Sequence, residues 1–284
     1  MAALTRPAGL ESVVHPRSAG SIPRIFRIVN FDGLVVRDGD LVTALGRLVR
    51  NRAGDWFEPP VWVAAVGGGP RAIRPVSPVA LRVAGADFDE LAMRFEDDGA
   101  VEGDATLTGI WSAGRLQVQH QASPGPRNAP VPRWVTPPCP APAGGWTRHG
   151  GRLRFDMNDL PGTGGVVTVT VFRPGPDQEV LVVAAADPDA AEVWLRPQFG
   201  ARLCIVASKW TTAELDAVRA HLHTRHRAWN IWQLGRSAGE DGQACIAAKL
   251  TRVSPEIALW AASLPAGIVS LDPWLRRPHP LPAA

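Results

Sequence analysis

Tyrosine is absent from this chain, so no phenol is available for acid–base or nucleophilic chemistry, and only Lys209 and Lys249 are lysines among 30 basic residues. An arginine-for-lysine bias of this kind is what codon usage in a GC-rich genome writes, and it does not by itself mark a phosphate-binding surface. Charge of one sign is also lacking. The formal net charge is +3 and the basic and acidic residues are nearly balanced in both halves, so a pI of about 9.1 does not define a polyanion-binding domain. No run of about 18 apolar residues occurs, and residues 1–30 hold no apolar core of signal-peptide length. Membrane insertion and secretion are therefore disfavoured, and a cytoplasmic location is expected. Cysteine is scarce: Cys139, Cys204 and Cys245 fit neither a zinc pattern nor a CxxC pair, and reduced thiols are expected.

With 45% hydrophobic and 20% charged residues over 284 positions, the chain has the composition of a folded protein and room for two cores. Residues 1–23 carry prolines and glycines without periodicity and read as a flexible tail. From Ile25 the apolar pattern is strand-like, at 25–29, 34–36, 41–49, 61–66, 79–83, 106–111 and 115–120, with Gly and Asp turns between. A β-rich domain over 24–122, an OB-like barrel or small sandwich, is the expectation. Gly39-Asp40 before a strand holding Gly46 is echoed by Gly103-Asp104 before one holding Gly109, which suggests bends at barrel corners.

Proline and glycine dominate 123–151, which is read as an ordered strap across the N-terminal sheet because a free linker would not keep Trp134 and Trp146 exposed. Residues 152–275 are read as a ferredoxin-like α/β plait, followed by a short tail at 276–284. The pattern predicts strands at 166–172 and 180–186 and a helix near 188–199. The order βαββαβ then follows over 203–271. Its best-defined element is a helix from Thr211 to about Arg227, with Glu214 completing a capping box and Leu215, Val218 and Leu222 on one face. The fold class expected is thus α+β.

The patterns that carry chemistry mostly have structural explanations. His223 and His226 share a helix face, yet no third ligand is in reach along the sequence, so no metal site is assigned. Cys139 stands between prolines, without the helix N-terminus or base that activates a thiol. Gly67-Gly68-Gly69-Pro70 lacks the Lys-Ser/Thr pair of a phosphate loop, and Glu96-Asp97-Asp98-Gly99 reads as a hairpin loop. Asp187 and Lys209 sit at the C-terminal ends of successive strands, where α/β proteins place ligand groups. That pair is the candidate ligand site, while a helix N-cap is the structural alternative for Asp187. Arg47, Arg50, Arg52 and Trp56 form a second candidate, a basic and aromatic cluster of the kind OB barrels use for nucleic acid. No catalytic residue and no cofactor are assigned.

The stretch Leu195-Arg196-Pro197, Arg202–Val206 and Trp210–Leu215 resembles uncharacterised bacterial proteins from GC-rich genomes. In these a strand-rich, Pro/Cys-containing front part precedes an α/β back part, and the resemblance covers roughly residues 105–275. Many such proteins are exported and richer in cysteine. The resemblance implies the two-part layout and carries no catalytic residues. The resulting expectation is a non-catalytic binding or scaffolding protein, with a protein partner or self-association ahead of nucleic acid, and no membrane. A small-ligand enzyme at the strand ends and a nucleic-acid binder are the alternatives.

Overall fold

The computed structural model describes residues 31–60, 76–124, 136–147, 153 and 165–278. The expected strands at 25–29 and 61–66, the glycine run at 67–69 and Trp134 lie outside them.

Six strands form the first sheet: β1 (Leu41–Asn51), β2 (Gly54–Glu58), β3 (Leu81–Ala84), β4 (Ala92–Asp97), β5 (Ala100–Ser112) and β6 (Arg115–Ala122). They pair in the order β1-β2-β3-β6-β5-β4, and β5 also pairs with β1, so five of the strands close into a ring with β4 outside it on β5. All ring contacts are antiparallel except β3 with β6. The tight turns follow from residue type. Asp98-Gly99 joins β4 to β5 and Ala113-Gly114 joins β5 to β6, with all four residues at positive φ, the conformation that matches strand twist in two-residue hairpins. Asp98-Gly99 is the hairpin loop that the sequence indicates. Val42, Ala44, Leu48, Phe57, Leu107 and Leu116 fill the ring. Gly46 is required by packing, since a Cβ there would stand 2.6 Å from the Phe57 ring. Gly46 and Gly109 lie on partner strands of one ladder, β1 and β5, with Val42 opposite Gly109.

The second part contains a duplication that the sequence does not advertise. In the first unit, β7 (Val166–Phe172) pairs antiparallel with β8 (Val180–Ala185), α1 (Pro188–Phe199) follows, and β9 (Leu203–Ala207) returns parallel to β8. The second unit repeats this with β10 (Ile231–Ala238), β11 (Ala244–Leu250), α3 (Pro255–Ser263) and β12 (Val269–Pro273). The helix α2 (Thr212–Arg225) joins them. Both α1 and α3 start on a capping side chain, a proline in the first turn and an acid, Asp187-Pro188-Asp189 and Ser254-Pro255-Glu256.

This pairing corrects the plait. In a βαββαβ plait Leu203–Ala207 would lie beside β11, but it pairs with β8, and β10-β11-β12 form their own three-stranded sheet. The decisive element is β8, whose six residues are all buried and which needs neighbours on both edges and cover on both faces. Leu181, Val183 and Ala185 pack toward α1, while Val180 and Val182 pack with Phe172 and Cys204 beneath Cys139 and Trp146.

That second face carries another correction. The described part of the strap, 136–147, lies on β7–β9 rather than on the N-terminal sheet, and Cys139 is disulfide-bonded to Cys204. The expectation of three reduced thiols fails there, and the buried Cys245 is the cysteine that forms no disulfide. Disulfides persist in oxidising compartments, so cysteine usage lends the cytoplasmic expectation no support. Among the described residues no helix is long and apolar enough to cross a membrane.

The two parts exchange ends. Phe31 and Val35 are buried in the core of the β10–β12 unit, with Val35 bridged to Val253. In return Leu275 is fully buried inside the ring. Trp274 packs 4.7 Å from Phe57 and donates its indole N–H to the Leu45 carbonyl at 2.7 Å. Arg276, assigned by sequence to a tail, exchanges backbone hydrogen bonds with Thr43.

Candidate functional site

The residues singled out by sequence are mostly spent on structure. Asp187 is the N-cap of α1 and accepts from the Ala190 amide at 3.0 Å. Lys209 stands past the end of β9, beside the end of β8, as expected. Its ammonium pairs at 2.8 Å with Asp241, from the β10–β11 turn, and no hydrogen bond or ion pair links it to Asp187. The capping box expected at the start of α2 is present: Thr211 accepts from Glu214 N, and the Glu214 carboxylate accepts from Thr211 N at 2.7 Å.

Arg47 corrects the nucleic-acid cluster. Its side chain points away from the ring's interior yet is buried, held at 2.5 Å by Glu58 on β2 and at 2.5 Å by Glu102 on β5. Glu58 also accepts from Ser77 N at 2.8 Å. A guanidinium forked between two carboxylates and shielded from water is a structural cross-tie, not a phosphate contact. Arg50 is bidentate to Asp55 at 2.8 and 2.9 Å and lies 4.0 Å over the Phe88 ring. The Trp56 ring is covered by the Arg82 guanidinium at 3.7 Å, and Arg82 is fixed in turn by the Ala53 carbonyl. Of the four residues, Arg52, in the β1–β2 turn, is exposed and takes part in none of these contacts.

The His pair offers no metal geometry either. His223 and His226 stack at 5.3 Å, and His226 Nδ1 is 2.7 Å from the His223 carbonyl. Among the described residues no group of three or more His, Cys, Asp or Glu is placed to hold an ion.

Two concave sites bring a tryptophan and a lysine together. The larger, about 990 Å³, opens where the ring meets the β10–β12 sheet. Leu45 of β1 and Pro59-Pro60 after β2 face Trp232 of β10, Trp274 and the cations Lys249 and Arg276. Arg276 is tied to Asp272 and to the Pro273 carbonyl. Lys249 sits 5.5 Å from the Trp232 ring centroid and has no carboxylate partner among the described residues. Sequence reasoning missed Trp232, although one signal was present. On β10 buried Ile231 is followed by a tryptophan on the opposite face, where a solvent-facing strand position would ordinarily be polar.

The smaller cavity, about 390 Å³, lies at the other end of the same sheet and includes Lys209, Trp210, Asp241 and Gln243. Partial burial pushes the Asp241 carboxyl up, but hydrogen bonds from Lys209 and from the Gln243 amide outweigh it and hold the group below the usual carboxylate range. No family model matches the chain, and neither a curated protein nor a solved structure is found to be similar to it.

Proposed function

We propose that this is a non-catalytic binding protein that holds an extended, acidic segment of a protein partner in the groove between the ring and the β10–β12 sheet. The observation that carries this reading is the pairing of two aromatic anchors, Trp232 and Trp274, with a cation, Lys249, that has no carboxylate partner among the described residues. Trp274 is fixed by Phe57 and the Leu45 carbonyl, so little freedom is lost when a ligand packs on it. Tryptophan and arginine are the side chains that most often dominate binding energy at protein interfaces. Lys249, with no carboxylate partner among the described residues, favours an acidic group on the occupant.

A displayed library of short random peptides, with binding measured by fluorescence anisotropy, tests this. The expected binders combine apolar and acidic residues, weaken about tenfold or more in Trp232→Ala and Lys249→Glu, and are indifferent to Arg52→Glu. A library without binders, or binders insensitive to both groove variants, would overturn the proposal.

One observation favours a second reading. The ring order β1-β2-β3-β6-β5 with a parallel β3/β6 contact is the strand order of an OB-type barrel, and Trp56 and Arg82 stand on its β2–β3 face, which such barrels use for oligonucleotides. The engagement of Arg47, Arg50 and Trp56 in internal contacts makes it the lesser reading. Salt-dependent binding of single-stranded DNA, lost in Arg52→Glu, would promote it.

A further inference from the structure

We propose that the cavity beside Lys209 is a second, independent binding site, and that it takes a small carboxylate with an apolar body. It shares no lining residue with the groove.

The reasoning is an account of hydrogen-bonding capacity. The acceptors at the polar rim are committed. Asp241 Oδ2 accepts from Lys209 Nζ at 2.8 Å, and Oδ1 accepts from Gln243 N at 3.1 Å. Gln243 Oε1 accepts from Lys209 N at 2.8 Å, and its amide donates to the Ala207 carbonyl at 3.0 Å. Two donors are left with unmatched N–H groups. An ammonium has three N–H groups, and a single acceptor for the Lys209 head, Asp241, is found among the described residues. Trp210 lines the cavity, and its indole N–H is buried without an acceptor among them. A desolvated donor left unmatched costs free energy that a ligand acceptor recovers. The rest of the wall is mainly apolar, with Phe31, Leu34, Val269 and Leu271 beside the two serines Ser237 and Ser270. A volume of about 390 Å³ lies within the range of small-molecule sites, which are apolar chambers with a few placed polar groups.

The chain builds this site from four separate places. The Phe31–Leu34 turn reaches it through the exchange of ends described above, β9 delivers Lys209 and Trp210, the β10–β11 turn supplies Asp241 and Gln243, and β12 supplies the floor. The β10–β11 turn is braced by Gly239 N to the Gln243 carbonyl at 2.9 Å and Gly242 N to the Gly239 carbonyl at 3.0 Å. Asp241 thereby positions the ammonium instead of competing for the ligand.

The test uses the full chain and named probes: hexanoate and benzoate, against hexanol and hexylamine, by calorimetry and by ¹H–¹⁵N spectra of the indole N–H groups. Saturable binding of a carboxylate is expected, with the Trp210 indole signal, assigned through Trp210→Phe, moving downfield. Lys209→Met is expected to weaken that binding about tenfold, as for loss of a charge-assisted hydrogen bond. Absence of saturable carboxylate binding up to about 20 mM, a range that covers very weak sites, would overturn the proposal. So would equal affinity for hexanol, preference for hexylamine, an unmoved Trp210 signal at saturation, or undiminished binding in Lys209→Met.

Discussion

Arg47 is the residue whose removal the structure most sharply predicts to be harmful. It is 5% exposed, and its carboxylate partners Glu58 and Glu102 are 2% and 3% exposed, so all three charges are out of water. Breaking a buried pair by deleting one member costs about 3–5 kcal/mol, because the surviving charge is left without compensation. In Arg47→Met one deletion takes the guanidinium from two buried carboxylates on strands that flank the same position of β1, and Glu58 keeps a further donor, Ser77 N. The cost is therefore expected within that range, about 3–5 kcal/mol, a large share of the roughly 5–15 kcal/mol that holds a domain together. Arg47→Lys keeps the charge but cannot fork between two acids and should fall between. The triple variant Arg47→Met, Glu58→Leu, Glu102→Leu removes every desolvated charge at once and should recover most of the loss. Urea unfolding followed by far-UV circular dichroism measures all three, urea being preferred to a salt denaturant that screens charges. A loss below about 1 kcal/mol in Arg47→Met, the scale of an exposed pair, would refute the reasoning, as would a triple variant no more stable than the single one.

The disulfide closes a loop of 65 residues, for which chain-entropy reasoning gives about 4 kcal/mol, so Cys204→Ser should lower the urea midpoint in non-reducing buffer while the wild type falls to match it after reduction. Equal midpoints with and without reductant would show that the strap is held by its apolar contacts alone. The Asp40 carboxyl accepts from Arg37 N at 2.7 Å, which lowers its pKa more than partial burial raises it, and Arg277 lowers it further. A group depressed in the folded state contributes stability above its unfolded pKa of about 3.9 and loses that contribution as pH falls through the lower folded value. The wild type should therefore exceed Asp40→Asn slightly at pH 6, and the gap should begin to shrink as pH falls below about 4. A gap that widens as pH falls through the acid range would contradict this.

Local elements were legible because they are written in neighbouring residues. Helix α1 spans the predicted Pro188–Phe199, and the Thr211/Glu214 box starts α2 where expected, since capping and proline signals act within one turn. Pairing was not legible. The spacing of Leu203–Ala207 looks the same whether its neighbour is β8 or β11, and the choice is made by β8's need for cover. For the same reason Cys139 could not be matched to Cys204 from their separation. Lys209 was found by its place at a strand end, but its partner Asp241 comes from a turn that only the fold brings near. Arg47 misled because arginine beside tryptophan in sequence says nothing about side-chain direction. In the fold it meets Glu58, its cross-strand partner on β2, and Glu102, two residues from Asp104, which lies opposite it on β5.

The exchange of ends links the architecture to both proposed sites. The turn at Phe31–Leu34 helps bury the β10–β12 sheet and at the same time walls the Lys209 cavity. The Trp274–Arg276 segment, with Leu275 plugging the ring, walls the groove. Each site therefore takes part of its surface from a segment that must already be docked in the other part of the molecule. A ligand that binds only the assembled form stabilises that assembly in proportion to its occupancy. Groove and cavity occupants would both act on the same end exchange, so each is expected to raise the unfolding midpoint of the whole chain instead of one part of it.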